Sequence, residues 1–277
     1  MAIFCLSLLA AAAFVAGCSS SPKNTGEVYT LRNRAADFAQ TGDKLFYQSE
    51  YEKALDLYFQ AFDLHASLDN LPGIIKTSIS IGRLYLAAGE TKGAEEYLSA
   101  AFKRAIELDD SELIFLSANG IAEFYLSTDR TDEAGSYLDR ALSLAGKGTP
   151  ARELALLYHN LGVYYKRTGR PADSENAFLT AAKINEKEKI HSQLAANRYM
   201  LAVLALQRSD LPAALDWLNK ALSSDKAAEN SRGIASDLSA IASIYQQQGD
   251  HEKALDHYVR AFTVFKYLGM IEESKRT

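Results

Sequence analysis

Tyr51-Glu52-Lys53-Ala54-Leu55-Asp56-Leu57-Tyr58-Phe59-Gln60-Ala61 sets the reading of this chain. Within it Ala54, Tyr58 and Ala61 are spaced by four and three residues, which places them on one stripe of an α-helix. The stripe recurs along the sequence. Ala54, Ala94, Ala134, Ser174, Ala214 and Ala254 stand 40 residues apart, and Ala61, Ala101, Ala141, Ala181, Ala221 and Ala261 keep the same interval. Between the two columns lie Tyr58, Leu98, Leu138, Phe178, Leu218 and Tyr258, always large. A fixed internal period of this length marks a repeat architecture.

Upstream in each unit runs a second stripe. A small residue recurs at Gly42, Gly82, Ala122, Gly162, Ala202 and Ala242, followed three positions on by Leu45, Tyr85, Tyr125, Tyr165, Ala205 and Tyr245. The small residue lets a neighbouring helix approach, and the larger one fills the space beside it. Each unit is therefore read as helix, turn, helix. Gly89, Gly169 and Gly249 suit a left-handed C-cap, with Ser49, Asp129 and Ser209 in the same column. Pro171 and Pro212 stand where a second helix opens and a missing N–H costs little. No single pair can bury both stripes, so stacked neighbours must make the core. The expectation is one domain over residues 28–277, with repeats at 35–74, 75–114, 115–154, 155–194, 195–234 and 235–274.

Asn160-Leu161-Gly162-Val163-Tyr164-Tyr165 and the stretch 51–61 resemble helices A and B of tetratricopeptide repeats, and the resemblance covers residues 35–274. It implies an all-α fold, a right-handed α-solenoid of six helix-turn-helix repeats. The unit here is 40 residues where the common form has about 34. The column that holds an early Trp in the family reads Phe38, Ser78, Ala118, Tyr158, Arg198 and Leu238, and the closing Pro is missing. The second helix is accordingly expected to run on by a turn or more. The resemblance also implies that first helices line an inner groove for protein partners, either a peptide or a helix. Carried across, its columns give Ile79, Asn119, His159 and Tyr199 in one row and Arg83, Glu123, Val163 and Val203 in the next. Beyond these come Phe46, Leu86, Leu126 and Lys166. Phe46, Leu86, Leu126, Leu206 and Tyr199 are expected to form a contiguous apolar patch of the kind that marks an interaction surface. The family's clamp for chaperone tails needs a set of Lys, Arg and Asn, of which only Lys76, Arg83 and Asn160 are present.

The composition is that of a folded protein, 48% apolar and 23% charged over 277 residues. A net charge of −5 with no run of Lys or Arg excludes a nucleic-acid footprint. At the front, Ile3 to Val15 is apolar, too short for a membrane span of about 20 residues and suited to a signal-peptide core of roughly 7–15. No basic residue precedes it. Val15-Ala16-Gly17-Cys18 resembles the bacterial lipobox. That resemblance implies a signal peptide over residues 1–17 and a diacylated, N-acylated Cys18 anchored in the membrane. Residues 18–27, rich in Ser with Pro22 and Gly26, read as the flexible tether. Ser19 in place of an Asp points to the outer membrane, on its periplasmic face or at the surface. Cys5 falls in the removed segment, so the mature monomer can form neither a disulfide nor a Cys-based metal site.

Catalytic signatures are missing. His251 and His257 are six apart, on different helix faces. Glu107, Asp109, Asp110 and Glu112 lack the alternating ligand pattern of a calcium loop. Gly146-Lys147-Gly148-Thr149 lacks the strand and earlier Gly of a phosphate loop and reads as a turn between repeats. The expectation is a lipid-tethered scaffold for protein partners, with no cofactor, metal or catalytic residue, in assembly or regulation of an envelope complex: pilus or secretion, cell wall or transporter. The alternative is a surface adhesin or a small-ligand-binding lipoprotein. The C-terminal end is the expected place for pairing with a second copy.

Overall fold

The computed structural model of this chain describes residues 25–48 and 50–269. Cys18 and residues 270–277 lie outside them. Among the described residues there are twelve α-helices and no strand. They are α1 (Thr25–Tyr47), α2 (Tyr51–Ser67), α3 (Leu71–Ala87), α4 (Thr91–Leu108), α5 (Ser111–Ser127) and α6 (Thr131–Leu144). Then follow α7 (Ala151–Arg167), α8 (Pro171–Lys187), α9 (His191–Gln207), α10 (Leu211–Ala227), α11 (Ser231–Gln247) and α12 (His251–Tyr267). From α2 onward a helix begins every 20 residues, so the 40-residue period is one helix pair. In most units both helices reach 17 residues, so the length beyond the common repeat is shared between them and not carried by the second helix alone.

The regular joints explain this constancy. After α3, Glu90 N–H donates to the Tyr85 carbonyl at 2.8 Å and Gly89 N–H to the Leu86 carbonyl at 3.1 Å, a Schellman closure. Gly89 has φ 82°, the left-handed conformation such a closure requires. The same conformation returns at Asp129, Gly169, Ser209 and Gly249, in the column read from the sequence. It also returns at Asp69, Asp109, Lys189 and Glu229, between units. The next residue is already the N-cap: Asn70, Asp110, Asp210, Asn230 and Asp250 each accept a backbone N–H three residues on. A joint made of one left-handed residue and one cap leaves little freedom, so helix succeeds helix at a fixed spacing. Lys189 and Glu229 hold φ of 57° and 54° with full side chains. Lys189→Gly and Glu229→Gly should therefore each raise stability by about 0.5–1 kcal/mol in chemical denaturation, the relief of left-handed strain exceeding the entropy cost of glycine.

Packing within a pair follows the two stripes. A Cβ on Gly162 would fall 2.6 Å from the Phe178 ring, one on Gly82 would fall 2.6 Å from Leu98, and one on Gly42 would fall 2.8 Å from Tyr58. The small column is thus the seat for the large residue of the following helix. Ala54, Ala94, Ala134, Ala214 and Ala254, with Ser174, are buried in the same interface.

One joint breaks the rule. α6 stops at Leu144, three residues short, and its cap Ala145 is extended. The chain then turns through Gly146 to Thr149, where Gly146 N–H donates to Thr149 Oγ1 at 2.9 Å, and Pro150 leads into α7. Along the first helices, α3 packs on α5 and α5 on α7, whereas α9 makes at most marginal contact with α7 and α11.

Candidate partner-binding groove

First helices bring their charged row together. Arg83 on α3 donates from Nε to Glu123 Oε2 on α5 at 3.0 Å. Its Nη2 lies 3.5 Å from Glu153 Oε2, at the start of α7. Three successive first helices can share one guanidinium only if they curve towards each other, so this face is concave. Above the cluster lies a chamber of about 790 Å³ between α1, α3, α5 and the entry to α7. Its walls mix Ala39, Ile79, Leu116 and Pro150 with Asp37, Lys76 and Arg83. A depression of about 180 Å³ joins it beside Phe46, where the Tyr58 hydroxyl donates to Asp43 at 2.7 Å.

Further along, the groove floor becomes a row of amides. Asn160 Nδ2 donates to Asn119 Oδ1 at 2.9 Å, both side chains being buried. His159 Nδ1 pairs with Asn197 Oδ1 at 2.9 Å. Because the amide nitrogen of Asn197 donates to the Gln193 carbonyl, its oxygen is the acceptor and the imidazole donates from Nδ1. Burial holds His159 below the ordinary histidine range, opposed by the Asn197 bond and the negative charge of Glu123. At neutral pH it is an uncharged donor. Glu123, Leu126, His159 and Val163 line a hollow of about 230 Å³ between α5 and α7.

No curated protein matches the chain. The description that does match is that of a tetratricopeptide repeat, over residues 113–187, 153–227 and 192–267, together more than half of the sequence. The chain belongs to the tetratricopeptide-repeat family. Solved structures agree with the fold. BtubC (BKLC) from P. vanneervenii is 17% identical with a TM-score of 0.58, over 87% of this chain and 92% of that one. A Rap protein complexed with Competence and Sporulation Factor is 16% identical with a TM-score of 0.65, over 87% and 72%. PilW, a type IV pilus biogenesis factor, is 18% identical with a TM-score of 0.57, over 84% and 94%. Identities this low speak for the fold alone. By family, a tetratricopeptide-repeat chain is a scaffold for protein interaction.

In this tetratricopeptide-repeat chain, the residues carried across from the family pattern take up different depths. Phe46, Ile79, Arg83, Glu123, Leu126, His159 and Val163 line the connected hollows. Ile79, Asn119 and Leu126 are buried and serve as floor. Leu86, Lys166, Tyr199 and Val203 are half-buried and line none of these three hollows. The apolar residues expected to form one patch are instead divided among three parts of the core. Phe46 packs with the α2–α4 cluster, Leu86 and Leu126 with the large central one, and Leu206 and Tyr199 with the C-terminal one. Phe46, Leu86, Leu126 and Leu206 stand at the last turn of a first helix, where each packs into the core cluster of its own neighbours, and Tyr199 stands at the middle of α9.

Several groove residues went unread in the sequence. Arg152 and Glu153 enter the wall from the first turn of α7, as Pro72 and Glu112 do from the first turns of α3 and α5. Asn185, Gln193 and Asn197 line a recess off the groove. Asp225 and Asp237 form a buried acid pair at the next joint. The available sign was a pair of polar residues twelve apart that returns 40 residues on: Asn185 with Asn197, then Asp225 with Asp237.

Proposed function

We propose that this tetratricopeptide-repeat chain is a lipid-anchored docking scaffold that holds a segment of a protein partner in its inner groove. The observation that carries the reading is the run of adjoining hollows along α1, α3, α5 and α7, spanned by the Arg83–Glu123–Glu153 cluster. Such hollows, part apolar and part lined by fixed hydrogen-bonding groups, suit a chain that offers both side chains and peptide groups. The lipobox-like Val15-Ala16-Gly17-Cys18 supports anchoring through Cys18 in a bacterial envelope, at the outer membrane. The task is assembly or regulation of an envelope complex, a pilus or secretion apparatus, a cell-wall machine or a transporter. The likeness to PilW is in keeping with the first of these. Leu255, Val259 and Phe262, exposed on α12, support pairing with a second copy at that end.

Photo-crosslinking in cells tests the groove. A reactive residue at Phe46 or Leu156 should give a discrete protein adduct, and one at Leu179, exposed on the second helix α8, should give none. Equal labelling from all three would sink the groove reading. A second reading, small-ligand binding, is favoured by the chamber volume of about 790 Å³, which lies in the range of small-molecule sites. It would gain if the groove positions gave no protein adduct. For the anchor, Cys18→Ala should abolish incorporation of labelled palmitate and release the protein from membranes; label retained by that variant would refute lipidation at Cys18.

A further inference from the structure

Between α8 and α9 a pair of amides is buried, and only one of them is satisfied. Asn185 near the end of α8 is 0% exposed and Asn197 on α9 is 1% exposed. Asn197 donates to the Gln193 carbonyl and accepts from His159. Asn185 has no partner at Nδ2 or at Oδ1, and Gln193 Oε1 has none either. These side chains line a recess of about 90 Å³. Leu156 and His159 line both this recess and the hollow between α5 and α7, so it opens off the groove. Leaving a buried amide without hydrogen bonds is costly, and folded proteins rarely do so.

We propose that this recess is a side-chain subsite of the groove, built to take the carboxamide of an asparagine or glutamine on the docked protein segment. The inference rests on the docking reading above and names what the partner must bring. The unmet groups are one amide NH2, with two N–H donors, and two carbonyl acceptors. A primary carboxamide brings a carbonyl and two N–H groups, the complement of that set. A carboxylate would face two acceptors with no proton to give, and an ammonium would leave the Asn185 N–H groups unmet. No charged side chain lines the recess to neutralise either ion, and a charge desolvated there would be strongly disfavoured. The volume admits a carboxamide or a few water molecules, but not a whole residue. At the next joint the same two columns hold the buried acids Asp225 and Asp237 in place of the two amides.

Propionamide is the probe. Titrated into isotope-labelled protein, it should shift the side-chain amide resonances of Asn185 and Gln193 saturably, with a midpoint in the millimolar range expected of so small a ligand. Propionate at equal concentration should leave them in place. Asn185→Leu, close in volume and without polar atoms, should abolish the shift and melt no lower than the wild type, because it removes an unmet amide. Gln193→Leu, at a half-buried position, supplies an independent loss should the first variant fold poorly. Absence of any shift up to the solubility limit, or equal shifts from propionate, would mean that the recess holds water only. If the groove adducts at Leu156 persist in that event, the subsite falls and the docking reading stands. If propionamide binds while the adducts are absent, docking of a protein falls instead.

Discussion

Raising the pH from about 4 to about 8 should withdraw a stabilising contribution made by the buried pair Asp225 and Asp237, opposite in sign to the contribution of His159, which burial holds low, and Asp237→Asn should remove the pair's contribution. Asp225 on α10 and Asp237 on α11 are 5% and 1% exposed. Burial and the neighbouring Asp225 carboxylate push Asp237 up from an ordinary 3.8 to about 8. Asp225 is raised as well, by burial, against the relief of hydrogen bonds from Asn230 and Asp237. The pair therefore keeps one proton between its two carboxyl groups, while Asn230 Nδ2 donates to Asp225 Oδ1 at 2.7 Å. In the unfolded chain both carboxylates ionise near their ordinary values. Between about pH 4 and pH 8 the folded pair thus binds one proton more than the same two groups in the unfolded chain, and its contribution to stability falls as pH rises, by up to about 1.4 kcal/mol per unit. Below that window both states are protonated, and above it both are ionised, so the slope from this pair vanishes at either end. For a chain of this size the decline amounts to roughly 3–5 °C per pH unit in melting temperature. The amide of Asp237→Asn can still donate to Asp225 but has no proton to lose, so its melting temperature should fall less, or rise more, than that of the wild type as the pH is raised. Parallel curves for the two proteins, followed by circular dichroism, would show that the pair does not share a proton.

The helical body was legible because each of its rules acts locally. A left-handed residue closes a helix, and a glycine, aspartate or serine in the column of Gly89 announces it. The small column at Gly42, Gly82 and Gly162 announces a close approach. The joints at Lys189 and Glu229 were not legible, since neither residue favours the conformation it adopts; there the backbone closure that follows, Ile190 N–H to the Asn185 carbonyl and Asn230 N–H to the Asp225 carbonyl at 2.9 Å each, and the packing of the pair on either side impose it. The groove was legible in rows but not in depth. A 40-residue period says that Arg83 and Glu123 share a row, and they do meet. It cannot say that Glu153, seventy positions from Arg83, closes on the same guanidinium, because that depends on the curvature accumulated over α3, α5 and α7. Depth fails for a related reason. Ile79, Asn119 and Leu126 occupy groove columns, yet the close packing of these first helices sinks them beneath their neighbours.

Phe178→Ala should be among the most destabilising single substitutions in the chain, and its interaction with Gly162→Ala should expose the seat that holds each helix pair together. The Phe178 ring is 0% exposed, clusters with Leu201 and Leu204 of α9, and lies edge-on to His159 at 5.4 Å. Truncation removes contacts to α7 and α9 at once and leaves a cavity between helices whose connections are closed by backbone hydrogen bonds, Arg170 N–H to the Tyr165 carbonyl at 2.8 Å and Ile190 N–H to the Asn185 carbonyl at 2.9 Å, so collapse is restricted. A loss of about 3–5 kcal/mol is expected. Gly162→Ala places a methyl 2.6 to 2.8 Å from three carbons of that ring, so one helix must shift, at about 1–3 kcal/mol. Once the ring is gone the same methyl enters open space, occupies part of the cavity and gains the helix preference of alanine over glycine, about 1 kcal/mol. The two substitutions should then be strongly non-additive, with a coupling of about 2 kcal/mol or more in urea unfolding of the four proteins of the cycle. Gly89 provides the contrast, because nothing lies within 4 Å of a Cβ built there and its role is purely one of backbone conformation. Gly89→Ala should cost the same whether Phe178 is present or not. Additivity within about 0.5 kcal/mol at Gly162 as well would mean that the small column serves helix geometry alone and does not seat the following helix.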